Sequence, residues 1–226
     1  VQLVVYARRF FCDEPECHRQ IFTEPFPEVL PPHARQTERL RKALLELAHA
    51  SGAEMAARAA KLLGGELVVF DTGDYPMRLA DEYLYRLADL YRELHPEFVL
   101  THSLADPYNF DHPLAARIAQ EARIVAQAHG HKPGEKVLGA PPVFLFEPHQ
   151  TEQCGWKPEV FLDITAVWDL KRQAMEMMAA QEHLWDYYTR VALQRGVQAA
   201  RNSGKSGIKY AEAFQRVFPQ VTEHLA

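Results

Sequence analysis

Hydrophobic positions change their spacing near residue 64, and the change divides the sequence into two textures. Before it, "VQLVVYARRFF" alternates apolar and polar residues enough to predict a strand, and "CDEPEC" follows as a tight acidic knuckle. "TEPFPEVLPPHA" holds too many prolines for a regular element. In "ARQTERLRKALLELAHA", Leu40, Leu44, Leu47 and Ala48 fall on one helical face, and "AEMAARAAKLLG" predicts a second short helix stopped by Gly64 and Gly65. With a Ser-Gly turn between them, these two helices predict a helical hairpin within residues 1–63.

From Glu66 the pattern becomes strand, loop, helix, repeated. "ELVVFDTG" (66–73) and "EFVLTHS" (97–103) are almost continuously apolar, as strands buried on both faces of a parallel sheet are. Between them Leu79, Tyr83, Leu87, Leu90 and Leu94 recur at helical spacing until Pro96, which completes a βαβ unit. A helix is predicted after His112, then strands over 141–149 and 159–168. A long helix follows from Asp169 to about Arg195, with Leu170, Ala174, Met177, Leu184, Tyr188 and Val191 inward. "GVQAARNSGKSGI" reads as a basic loop and "YAEAFQRVF" as a closing helix. The expected fold class is α/β with a mostly parallel sheet over residues 64–226, preceded by a small, mainly helical segment.

Composition changes this picture little. A chain of 226 residues, 47% hydrophobic and 11% aromatic with a formal charge of -5, is ordinary for a globular protein and has no basic excess to attract nucleic acid. Residues 1–63 hold nine Lys and Arg against eight Asp and Glu, far from a basic stripe. No apolar run approaches the roughly 20 residues that span a bilayer, and the opening residues lack the order of a signal peptide, so a cytoplasmic protein is expected. The first residue is Val, which suggests that the true N-terminus lies upstream. Three cysteines, two of them close together, suit a thiol or metal better than a disulfide framework.

In open α/β sheets, ligands gather where strands lead into helices. That rule selects the loops "DTGDYP", "THSLADPYNFDHP" and "FEPHQTEQCGW", which hold His102, Asp106, Asn109, Asp111, His112 and His149. His112, just before Pro113 at a helix start, is either a cap residue or a ligand of a metal or polar substrate. Asp111 is expected as an N-cap, and Cys154 as an inert thiol. Arg201 and Lys205 lie in "ARNSGKSGIK", which is too loosely spaced for a phosphate loop and is a solvated loop or a carboxylate clamp. Cys12 and Cys17, with His18 adjacent, make half of a zinc site.

From about residue 64 onward, "GDYPMRLADE", "LTHSLADPYNFDHPLA", "QEARIVAQAHGHKPGEKVLGAPPVFLFEPHQTEQCGW" and "EHLWDYYTRVALQRGVQAARN" closely resemble the 4-oxalomesaconate (4-oxalmesaconate) hydratase family of the PIG-L deacetylase-like superfamily. The resemblance implies a Rossmann-like domain that binds zinc and adds water to a small unsaturated tricarboxylate in gallate-type aromatic catabolism. It places His112 as a zinc ligand, and together with loop position it makes His102, Asp106, Asn109 and His149 candidate catalytic or polar groups and Arg201 and Lys205 candidate carboxylate partners. Asn109 stands where the superfamily's deacetylases carry a histidine, which sets back a zinc-dependent deacetylase as the alternative. The family's early His-Pro-Asp-Asp zinc motif is absent from this sequence, together with the first strand and helix that carry it. A sheet without its first strand exposes an edge, so self-association into a homo-oligomer is expected. Residues 1–63 resemble instead part of the zinc ribbon and helix-turn-helix of an insertion-sequence transposase, with Cys12 and Cys17 as the ribbon's second knuckle. That makes a DNA-binding remnant a further alternative, and the join implies a gene fusion, an assembly chimera or a disrupted gene.

Overall fold

The computed structural model describes residues 9–11, 21–23, 54–73 and 75–222. The chain divides into two compact units, Val1–Ala59 and Ala60–Ala226. In the first, β1 (Arg9–Phe11) pairs antiparallel with β2 (Ile21–Thr23), with Phe10 opposite Phe22. Cys12, Cys17 and the helix expected over 34–50 lie outside the described residues. Helix α1 covers residues 54–62 and ends on the predicted glycines. Gly64, at φ 75°, donates to the Lys61 carbonyl at 3.1 Å, and Gly65 donates to that of Ala60 at 2.8 Å, a Schellman closure that needs a residue at ease in the left-handed region.

In the second unit, α2 (Asp81–Leu94) starts with Asp81 and Glu82 and ends with Arg92 in its last turn, charges that suit the helix dipole. It packs on α3 (Asp111–Gln127) through Ala88, Ala122 and Ala126, small side chains that let two helices approach closely, with Leu138 from the following loop completing the cluster. The buried Arg92 donates from Nε to Ala126 O at 3.0 Å and from its terminal nitrogen to Ala128 O at 2.8 Å, so it caps the end of α3. No helix among the described residues is long and apolar enough to cross a membrane.

The α/β class holds, but the sheet is mixed rather than mostly parallel. Its strands run β3 (Val99–Thr101), β4 (Val143–Phe146), β6 (Ala211–Arg216), β5 (Val160–Asp163), and only β3 and β4 are parallel. The stretch 66–73, expected as a strand, belongs to no sheet, and Leu67, Val68 and Val69 are exposed. A short apolar run becomes a strand only where a neighbour accepts its backbone hydrogen bonds, and no described residue does so here. The expected βαβ unit is therefore not formed.

The other corrections fall near the end of the chain. "YAEAFQRVF" is not a helix: residues 211–216 form β6, inserted antiparallel between β4 and β5 with Ala211, Ala213 and Phe214 buried. The strand expected to run to residue 168 stops at Asp163, where Oδ1 accepts from the amide of Thr165 at 2.9 Å and the chain turns. The long helix is two, α4 (Trp168–Glu176) and α5 (Glu182–Ser203), folded on each other by Arg172, which donates to Thr189 Oγ1 at 3.0 Å and lies over the Trp185 ring. Helix α5 extends through Arg201, so most of the expected basic loop is helical.

Gly196 explains how α5 reaches the sheet. A Cβ there would lie 2.2 Å from Lys209 O and 2.6 Å from its carbonyl carbon, so the helix touches the segment leading into β6 backbone to backbone. Ile164, Trp168 and Ala192 fill the core beside this contact, with Trp168 stacked on Tyr210 at 4.1 Å.

Candidate active site

The loop after β3 folds around Asp106. This buried carboxylate accepts from the amides of Tyr108 at 2.9 Å and Asn109 at 3.2 Å through Oδ1, an Asx turn, and its Oδ2 lies 2.8 Å from His112 Nδ1. Burial alone would raise the Asp106 pKa, but the hydrogen bonds from His112, Tyr108 and Asn109 outweigh it and hold the group below the usual carboxylate range. With Nδ1–H given to Asp106, His112 Nε2 accepts from Asn109 Nδ2 at 2.9 Å. The network thereby assigns the tautomer.

Asp111 is not the cap of α3. Asn109 Oδ1 accepts from the Asp111 amide at 2.9 Å, while the Asp111 carboxylate accepts from the amides of Tyr75 and Met77, each at 2.9 Å. Asn109, expected as a polar contact of the site, closes the helix start, and Asp111, expected as the cap, ties down Tyr75 and Met77 instead.

His102 lies over His112 with ring centroids 4.0 Å apart and nearly parallel planes, and it meets Phe146 edge-on at 4.5 Å. Burial, with the neighbouring His112 adding to it and Asp106 opposing, pushes His102 down to about 4. On the loop after β4, His149 stacks on Tyr187 at 4.3 Å, and its Nδ1 is 3.3 Å from the Tyr188 hydroxyl. The Tyr187 hydroxyl donates to the His149 carbonyl.

These groups line one cleft of about 630 Å³, walled by the ends of β3 and β4 and by α4, α5 and β6. The structure thus brings His102, Asp106, Asn109, His112 and His149 together. Arg201 and Lys205 are exposed and do not line it. In their place the cleft holds Lys171 of α4, ion-paired with Glu212 of β6, and Glu147, which is gripped by the buried Arg195 from Nε at 2.9 Å and from a terminal nitrogen. Sequence reasoning missed Glu147, Lys171, Tyr187, Tyr188 and Glu212. Alternation in "YAEAFQ" was the available signal for Glu212, and it was overridden by the helix-forming composition. Cys154 is buried beside Leu145 and Trp156 with its thiol pushed up by burial, which fits an inert thiol.

Zinc at His112 is what the superfamily resemblance implies, and the described residues do not fit it. Both imidazole nitrogens have protein partners, and among the described residues no group of three His, Cys, Asp or Glu side chains could hold a metal ion. A catalytic zinc takes about three protein ligands. The chemistry legible in these residues is that of a histidine backed by a carboxylate.

No protein-family model matches the chain. A curated relative, 4-oxalmesaconate hydratase of Pseudomonas putida KT2440, is 65% identical over 176 residues, covering 76% of this chain and 68% of its own. The crystal structure of GalB, the 4-carboxy-2-hydroxymuconate hydratase from Pseudomonas putida KT2440, superposes with a TM-score of 0.78 at 59% identity, over 87% of this chain and 80% of that one. Two more distant structures share the fold. A conserved protein of Thermus thermophilus has a TM-score of 0.57 at 20% identity, over 86% of this chain and 80% of that one. The N,N'-diacetylchitobiose deacetylase of Pyrococcus horikoshii has 0.53 at 21%, over 74% and 63%. With this identity sustained over more than two thirds of a curated relative, the chain belongs to the 4-oxalmesaconate hydratase family, built on an α/β fold that the N,N'-diacetylchitobiose deacetylase structure shares.

Proposed function

We propose that the chain adds water across the carbon-carbon double bond of a small unsaturated tricarboxylate, with the Asp106–His112 pair at the centre of the reaction. The observation that carries this reading is the convergence of that pair with His102 and His149 in one cleft of a hydratase-family chain.

Hydration of a conjugated double bond needs a base for the water proton, stabilisation of the charge that develops on the acid, and a proton returned to the neighbouring carbon. His112 offers Nε2 as the acceptor, and Asp106 stabilises the imidazolium once the proton arrives. Asn109 holds Nε2 until water or substrate takes its place. His102 stays uncharged at neutral pH and forms a flat wall against the His112 ring. His149, oriented by the Tyr187 stack and the Tyr188 hydroxyl, is the second group able to carry a proton to substrate.

The test follows the loss of the unsaturated acid's absorbance with purified protein. His112→Ala and His149→Ala are each expected to slow turnover by about 10²–10⁴-fold, the usual contribution of a positioned acid or base. Undiminished turnover in both variants overturns the roles. Amine release from an N-acetyl sugar by a chain inert toward the unsaturated acid replaces the hydratase reading with the deacetylase one.

A further inference from the structure

A substrate bearing several carboxylates needs cations, and the cleft offers a single lysine. Among the described residues, Lys171 on α4 is the only Lys or Arg that lines it. Its ammonium pairs with Glu212 of β6, and both side chains keep about a third of their surface open, at 30% and 35%. An ammonium carries three donors, so this pair leaves two for a ligand. The other strong cation nearby, Arg195, is locked two-fold onto Glu147 and nearly buried, and Arg201 and Lys205 lie outside the cleft.

We infer that Lys171 is the carboxylate anchor of the cleft, and that Glu212 is an internal competitor which holds the ammonium in place while no ligand is bound. The inference rests on the hydratase reading for its substrate class, a small polycarboxylate, but not for its geometry. Glu212 acts as a placeholder: a carboxylate already at the ammonium keeps α4 and β6 in register, and an incoming carboxylate takes up the free donors against the repulsion of the resident one. Lys171 would then set specificity, because an analogue lacking the carboxylate it meets forgoes the charge-assisted hydrogen bonds of the two free donors.

The two residues make opposite predictions. Binding of tricarballylate, a saturated and unreactive tricarboxylate, is measured by calorimetry on the wild type, Lys171→Met and Glu212→Gln, with thermal melting as the check on folding. Lys171→Met is expected to weaken binding by at least about tenfold, the effect of losing one hydrogen-bonded charge. Glu212→Gln is expected to tighten it severalfold. Lys171→Arg, which keeps the charge, is expected to fall between the wild type and Lys171→Met, and it carries the test if Lys171→Met does not fold.

An ion pair that merely pins α4 to β6 predicts something else, that both substitutions lower the melting temperature and weaken binding together. That result overturns the inference, as does tricarballylate binding that ignores Lys171 or no binding by the wild type. Failure of the hydratase reading looks different. A wild type that binds tricarballylate through Lys171 but leaves the unsaturated acid unchanged loses the reaction and keeps the anchor, whereas a wild type that turns over with a KM indifferent to Lys171→Met keeps the reaction and loses the anchor.

Discussion

Asp106 Oδ2 stands 2.8 Å from His112 Nδ1, and this contact determines which imidazole nitrogen is left to accept a proton. The carboxylate is itself fixed by two backbone amides, so it has little freedom to follow the ring if the ring moves.

Asp106→Asn tests that dependence. The amide is uncharged and can turn its NH₂ toward His112, which would invert the tautomer. Turnover is expected to fall by about 10–100-fold, the range for removing a partner that orients a functional histidine. KM is expected to change less than twofold. Steady-state kinetics on the unsaturated acid checks this, and a KM that rises in step with the loss of turnover would show that Asp106 serves substrate binding instead.

Gly196→Ala tests the backbone contact between α5 and residue 209. The added Cβ meets carbonyl atoms rather than a flexible side chain, so the helix must move away from the sheet. Overpacking of this kind costs roughly 2–3 kcal/mol, and the melting temperature is expected to drop by about 5–10 °C. Gly139→Ala, where a Cβ has nothing within 4 Å, serves as the control and is expected to leave the melting temperature unchanged.

Tyr91 gives the expected pH dependence. Packed against the α2–α3 core, its hydroxyl is pushed up to about 12 by burial, against an ordinary value of 10.0. The folded state therefore keeps a proton that the unfolded chain gives up. The contribution is fully present below about pH 10 and is lost as pH rises toward 12. Urea midpoints at pH 9 and 11.5 are expected to fall less in Tyr91→Phe than in the wild type, with a difference of up to about 2 kcal/mol. Equal falls in the two proteins would show that Tyr91 ionises as freely folded as unfolded.

The parts of this molecule that were legible in its sequence are those whose signal is local. Helices α2 and α3 follow from apolar spacing and their end residues, and the loop after β3 stands out by its density of Asp, Asn and His. The failures share a cause. "ELVVFDTG" has the composition of a buried strand, but pairing belongs to the partner strand and cannot be read from the stretch itself. "YAEAFQ" has helix-forming residues, yet the slot between β4 and β5 imposes a period of two. "MEMMAAQ" contains neither Gly nor Pro, so nothing in it announces the break between α4 and α5. The cleft was half legible for the same reason: His102, Asp106, Asn109 and His112 come from one loop, whereas Lys171, Tyr187, Tyr188 and Glu212 reach it only through the tertiary fold.

The place of β6 has a consequence for synthesis on the ribosome. Among the described residues β5 has no strand partner but β6, and β4 meets β5 only across it. Until residue 216 has emerged, the nascent chain holds a β3–β4 ribbon on one side and an orphan strand on the other, with the cleft's floor not yet laid between them. Translation proceeds at about 5–20 residues per second, so every earlier element of this unit is exposed for seconds before its keystone arrives. A chain broken shortly before residue 211 would therefore hold two incompatible sheet edges in search of a partner, not a slightly shorter version of the same fold.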